Sequence, residues 1–249
     1  MGIEQVQQLL ALDAYDDVLN ALPLLTYLDL NRLIINDERI CFFANLYNLL
    51  IIITHVELIR TALPQITATN LFRNDLERLL LMLTSRIDVG QLKQLSLYDI
   101  RHYLLGQHIV VAGLRFNLDP NGPFLHYAPT MNQDQQIKLG LVLTDCIQSS
   151  APCIILTPEL INEQLQCSTR DFIEKCVTVR TGEGENALHI QLPHLLRIQV
   201  ADTESDIVKF VGDYSSNNDV LNAITGKSAD STGLVRPWHA SEKYPFIVS

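Results

Sequence analysis

Apolar residues first recur at helical spacing in Val6, Leu9, Leu10, Leu12, Val18 and Leu22, which predicts a helix over 4–22. The next stretch is different. From Ile40 to Val56 the chain carries no charge, and Arg39 and Glu57 close the run. With Asn36 or Asp37 as a cap, a helix is predicted from about Glu38 to Arg60. Its apolar positions lie on nearly all sides, the pattern of a helix buried in the middle of a domain. Pro64 ends that region. A third helix is predicted over about 71–85, with Leu76, Leu79, Leu80 and Leu83 on its inner face and Arg73, Glu77 and Arg78 outward.

Ser96 and Asp99 form a capping-box pattern for a short helix over about 97–105. His108 to Val111 reads as a strand, and Asp119 to Pro123 as a turn. Leu139 to Leu143 and Cys153 to Leu156 are apolar runs of strand length, with a polar loop, Asp145 to Ser150, between them. Thr157 is expected to cap a helix that has Pro158 at its first position and runs to about Leu165, with a second piece over 168–175. Residues 176–180 and 187–192 alternate like a hairpin. Further helices are expected over 193–200 and 204–214, then a break at Ser215 to Asp219, a polar loop over 228–232 and a closing edge strand ending in Lys-Tyr-Pro-Phe-Ile-Val-Ser. No internal repeat or long linker divides the chain. The expected fold class is α+β: one helix-rich domain over 1–249 with a small mixed or antiparallel sheet.

With 47% hydrophobic residues, the chain of 249 residues has enough apolar mass to build a core and is not a disordered polymer. Asp and Glu number 28 against 18 Lys and Arg, for a net charge of −10, so no nucleic-acid partner is expected. Two Asn side chains, Asn45 and Asn48, fall within the uncharged run, which speaks against a membrane span there. The five cysteines, Cys41, Cys146, Cys153, Cys167 and Cys176, are a poor disulfide framework. The first ten residues lack a signal-peptide pattern. A reduced, cytoplasmic protein is expected, with this domain as part of a longer intracellular chain.

Motifs that would name a cofactor are missing. Thr225 to Ser228 reads Thr-Gly-Lys-Ser, but a phosphate loop needs Gly where Leu221 stands. There is no Gly-x-Gly-x-x-Gly after a strand, no His-Glu-x-x-His, no Cys-x-x-Cys and no Gly-x-Ser-x-Gly. No metal and no cofactor are expected. Three polar clusters remain. Asn45, Tyr47 and Asn48 sit inside the apolar helix, where they tie it to a loop backbone or orient an active site. His102 on the short helix is a packed residue or a base. Asp145, Cys146, Ser149 and Ser150 occupy the polar loop, which is a solvated connection or the place of a nucleophile.

Together these clusters resemble the family of domain of unknown function 547. One phrase of that family is similar to Phe42-Phe43-Ala44-Asn45-Leu46-Tyr47-Asn48-Leu49-Leu50, and a second to the stretch from Leu95 to Leu105. A third, ending in Ser-Cys-Pro-Pro and followed by a Thr/Ser-Pro-Glu helix start, is similar to Ser149 to Pro152 followed by Thr157-Pro158-Glu159. Where many members carry Cys, this chain has Ser150, and the first Pro is Ala151. A His common before that loop is missing from Asp134 to Leu141. A Cys, His and Asn in such a domain suggest a papain-like or transglutaminase-like core by analogy alone.

Two functions follow as expectations. The first is a non-catalytic, degenerate domain that binds a protein partner as a scaffold inside a larger protein. The alternative is a hydrolase or acyltransferase with Ser150, Cys146 or Cys153 as nucleophile, His102 as base and Asn45 or Asn48 as orienting group.

Overall fold

The computed structural model describes residues 14–61, 75–107, 109–111, 114–116, 124–143, 154–181, 188–192, 196, 200 and 204–229. Several expectations lie outside the described residues: the first part of the helix over 4–22, up to residue 13, the turn at 119–123, the loop at 145–150, most of 193–200 and the closing strand. Contacts divide the chain into two compact units, Met1–Ser168 and Thr169–Ser249.

In the first unit, α1 (Ala14–Ala21) passes directly into a tighter 3-10 turn over Leu22–Tyr27. Pro23 stands at its start, where a missing N–H does no harm. A second 3-10 turn, Leu30–Arg32, is capped by the Asp29 carboxylate accepting from the Asn31 N–H at 3.1 Å. The uncharged run then forms α2 (Asn36–Thr61). It is buried on several sides through Ile40, Phe43, Leu46, Tyr47, Leu50, Ile51 and Val56, as its pattern implies. Among the described residues no helix is long and apolar enough to cross a membrane.

α3 (Asp75–Thr84) differs from its predicted orientation. Among its described side chains Met82 is buried, whereas Leu80 is 60% exposed and Leu83 is 37% exposed. Leu79 does pack half-buried against the core, three residues before Met82 on the same side of the helix, so among these side chains only Leu80 and Leu83 depart from the predicted inner face. Next comes a hairpin that the helical periodicity does not announce: β1 (Arg86–Val89) and β2 (Leu92–Ser96), antiparallel, joined by the two residues Gly90 and Gln91. Its signal is the alternation of Ile87 and Val89 before a glycine. A bulge interrupts the register between Ile87 and Val89. On the facing strand Gln94 takes a positive φ of 54°, and its N–H donates to the Asp88 carboxylate at 2.8 Å. That bond, followed by the nearby Lys93, holds the Asp88 carboxyl below its ordinary range.

The Ser96 and Asp99 capping box is present. The Ser96 N–H and hydroxyl donate to the Asp99 carboxylate at 2.8 and 2.6 Å, and the Asp99 N–H donates to the Ser96 hydroxyl at 3.0 Å. The helix it opens is wound as a π-turn over Asp99–Leu104. The strand expected at 108–111 is β3 (Ile109–Val111), paired antiparallel with β4 (Leu114–Phe116).

Leu139 to Leu143 is not a strand. It belongs to α4 (Gln133–Val142) and its C-cap. The reason lies upstream in a capping box. The Gln135 N–H donates to the Asn132 side chain at 2.8 Å, and the Asn132 N–H returns to Gln135 at 3.3 Å. A short apolar run alone does not distinguish a buried strand from a buried helix end. The described part of the second run, Ile154 to Leu156, joins no sheet among the described residues. After it, Pro158 to Leu160 make a turn rather than a helix start, and α5 (Ile161–Cys176) runs without the break expected near 166.

The second unit holds β5 (Thr178–Thr181) and β6 (Leu188–Gln191), the expected hairpin, with α6 (Glu204–Tyr214) and α7 (Asn218–Ala229). Phe172, Ile173, Ile207, Val211, Val220 and Ala223 are buried in it. Every sheet among the described residues is an antiparallel pair. The architecture is α+β and helix-rich, as expected.

Candidate functional site

The family-like phrases bring α2 against the π-turn. Asn45 lies partly buried on α2, and both ends of its amide are engaged by one residue. Its Nδ2 donates to the Leu156 carbonyl at 2.8 Å, and its Oδ1 accepts from the Leu156 N–H at 2.9 Å. The buried Leu156 belongs to no helix or sheet, so its backbone needs such a partner. This is the clamp between helix and loop backbone that the sequence left as one of two readings for Asn45.

Two positions on, Tyr47 is fully buried, and its hydroxyl accepts a hydrogen bond from Arg101 Nη1 at 3.0 Å. The guanidinium carbon also stands 5.7 Å from the ring centroid of Tyr47. Arg101 is 4% exposed, so its charge is nearly removed from water. Taking away the acceptor leaves a buried donor one bond short, which costs more than the bond itself contributes. Tyr47→Phe is expected to lower unfolding stability by about 2 kcal/mol, since hydrogen bonds to charged groups are the stronger ones. Urea unfolding measures it, and an unchanged midpoint would mean that other groups satisfy the guanidinium. Asn48, the next residue of α2, is also buried, at 2% exposure.

His102 is fully buried. Its Nδ1 lies 3.1 Å from the Gln107 carbonyl, which can only accept, so Nδ1 carries the proton in this pair. Tyr98 and Tyr103 pack against the ring with centroids at 5.0 and 5.1 Å, and lie 6.0 Å from each other. Burial, followed by the nearby Tyr103 and Asp99, raises the Tyr98 hydroxyl above its ordinary value. The Gln107 amide in turn donates to the carbonyls of Leu105 and Gln136 at 3.1 and 3.0 Å, which ties the end of the π-turn to α4. The π-turn explains why two successive polar residues, Arg101 and His102, both go inside. Leu105 N–H bonds back five residues to Ile100, and the wider winding turns an extra position inward.

Asp145, Cys146, Ser149 and Ser150 lie outside the described residues, as does Cys153. Sequence reasoning missed Arg101 and Gln107. The signal for Arg101 was available: it stands four after Leu97 and three before Leu104, on an apolar helical face. Among the described residues, no group of three or more His, Cys, Asp or Glu could hold a metal ion.

Cys41, on α2, is buried. Burial first, and then the charges of Asp37 and Glu159, push its thiol from 9.0 up to about 12. It is a packed, neutral group and a poor nucleophile. In the native protein, iodoacetamide at pH 8 is expected to label the exposed Cys167 and to spare Cys41 until denaturant is added. Peptide mapping by mass spectrometry reads both sites, and early labelling of Cys41 would contradict its burial. The folded thiol holds its proton more tightly than the unfolded one. This contribution is therefore complete below pH 9.0 and is lost as the pH rises toward about 12.

No curated protein and no solved structure matches the chain. The family described as "Protein of unknown function, DUF547" matches residues 31–173, a span that holds α2, the β1–β2 hairpin, the π-turn, α4 and most of α5. That span is more than half of the chain and includes Asn45, Tyr47, Arg101 and His102, so the protein belongs to the DUF547 family.

Proposed function

We propose that this chain is a non-catalytic interaction domain, in which the polar residues of the family phrases hold the fold together. The observation that carries this reading is the Asn45 amide, which has both its donor and its acceptor on the backbone of Leu156. An amide used in this way does not orient a substrate or a catalytic imidazole. The full burial of His102 against Tyr98 and Tyr103 supports the same reading. So does the resemblance, in which Ser150 stands where many relatives have Cys. A Ser hydroxyl is a far weaker nucleophile than a thiol unless a base activates it.

The test is a panel of fluorogenic ester, peptide and isopeptide substrates, together with fluorophosphonate labelling, on the wild-type chain and on Ser150→Ala. The expected result is the same background rate for both and no specific labelling. Turnover by the wild type that Ser150→Ala abolishes, at an unchanged melting temperature, would establish the hydrolase or acyltransferase instead.

A further inference from the structure

The pattern of the chain marks Cys153 to Leu156 as a strand, yet its described part pairs with no other strand among the described residues. Two side-chain amides stand in for the missing neighbours. On one edge the Asn45 amide bonds both the N–H and the C=O of Leu156, as an antiparallel neighbour would. On the other edge, Gln164 Nε2 donates to the Ile155 carbonyl at 2.9 Å, and its Oε1 accepts from the Thr157 N–H at 2.9 Å. Successive residues of an extended chain turn their backbone polar groups to opposite edges, so the two amides hold the two edges of one strand. Burial follows the same alternation. Leu156 is 2% exposed, whereas Ile155 is 77% exposed.

The two edges are not closed equally. Along the edge that meets Asn45, the N–H and C=O of Leu156 are both bonded. The other edge is held by a single rotatable side chain, in a solvent-exposed contact at Ile155. The Ile155 N–H faces that same edge and has no partner among the described residues. Beside it lie two apolar side chains in water, Ile155 and the 49% exposed Leu160, whose carbonyl accepts from the Gln164 N–H at 2.8 Å. A peptide strand supplies what such an edge lacks: an acceptor for the Ile155 N–H, a donor for its carbonyl and a side chain to lie against Ile155. A helix, whose backbone groups are bonded within itself, supplies none of the backbone partners. The pairing has a defined end. Pro158 has no N–H, and the Thr157 carbonyl already accepts from the Leu160 N–H at 3.2 Å.

We propose that the edge of Ile155 to Thr157 facing Gln164 docks an extended segment of a partner protein, added as an antiparallel strand with a β-branched apolar residue opposite Ile155. The Gln164 amide turns aside as the strand enters. The proposal rests on the interaction-domain reading and specifies its surface and partner class.

The probe is a short fluorescein-labelled peptide of alternating Val and Thr with Lys at both ends, titrated with the full chain and read by fluorescence polarisation. In the proposed pairing a Val lies opposite Ile155 and exchanges both backbone bonds with it, so the Val N–H groups face the protein and the Thr N–H groups face away. An analogue N-methylated at every Val is expected not to bind. One N-methylated at every Thr, with the same charge and side chains, is expected to bind. Gln164→Ala, which removes the competing amide, is expected to tighten binding about tenfold, and Ile155→Ser to weaken it about tenfold. Hydrogen exchange followed by NMR locates the site on the unaltered chain: the Ile155 amide is expected to exchange rapidly alone and slowly with peptide bound. Equal binding of the two methylated analogues would show that no backbone pairing occurs, and would overturn the proposal. So would an Ile155 amide that the peptide leaves unprotected, or the absence of binding by both the wild type and Gln164→Ala. Concentration-dependent dimers that the peptide cannot dissociate would overturn it as well, since the edge would then belong to a second copy of the chain. None of these failures touches the non-catalytic reading, whereas turnover dependent on Ser150 removes that reading alone.

Discussion

Gly90→Ala is expected to destabilise the fold by about 3 kcal/mol, a loss on the scale of a deleted core side chain. Two separate costs add. Gly90 sits at φ +53°, a left-handed conformation that a side chain makes unfavourable by about 1 kcal/mol. A Cβ there would also lie 2.3 Å from the Leu28 carbonyl oxygen. That obstacle is backbone, and it cannot rotate away as a side chain would. The Gly90 N–H donates to the Leu25 carbonyl at 2.8 Å, so the hairpin turn is strapped to the 3-10 segment it would have to leave. Gly106→Ala is the control. Its φ is +61°, but the nearest atom to a new Cβ is the tip of the Gln136 side chain at 3.3 Å. Only the conformational cost, about 1 kcal/mol, is expected there. Urea unfolding of the two variants measures the difference, and equal losses would mean that the Leu28 carbonyl moves aside at little cost.

Asn45→Ala is expected to cost about 2–4 kcal/mol, because it leaves both the N–H and the carbonyl of the buried Leu156 without their partner. Asn45→Asp sharpens the test. The carboxylate still accepts from the Leu156 N–H, but its second oxygen faces the Leu156 carbonyl, where the amide had a donor. The ionised form is therefore disfavoured in the folded protein, and the folded pKa of the introduced carboxyl lies above its unfolded value. The stability of Asn45→Asp is thus expected to recover relative to wild type as the pH falls toward about 4, where the carboxyl gains a proton it can donate. A pH-independent deficit would show that the clamp has opened and that water has taken its place.

How much of this was legible along the chain depends on the range of each interaction. The uncharged run from Ile40 to Val56 predicted a buried helix, and its lack of charge and spread of apolar positions needed no knowledge of a partner. The Ser96 and Asp99 box and the pairing of β5 with β6 were readable for the same reason: they are bonds or pairings between near neighbours. The helix at 133–142 was missed because its apolar end was weighed without the Asn132 and Gln135 box just upstream. The β1–β2 hairpin was missed because its turn carries Gly-Gln rather than the commoner Asn-Gly.

The candidate site divides along the same line. Its polar residues, Asn45, Tyr47, Asn48 and His102, stood out as polar groups within apolar patterns. Their tasks did not. The Asn45 to Leu156 clamp spans 111 residues and the Arg101 to Tyr47 pair spans 54.

The sequence by itself determined the helix-rich α+β character, the family and the set of polar residues that must find partners inside, because periodicity and capping act over a few residues. Only the tertiary structure decided which partner each one found, that the short helix winds as a π-turn, and that Leu24, Tyr27, Leu80 and Leu83 remain outside. Burial and long-range hydrogen bonds depend on which segments meet in space, and no pattern within a single segment encodes that.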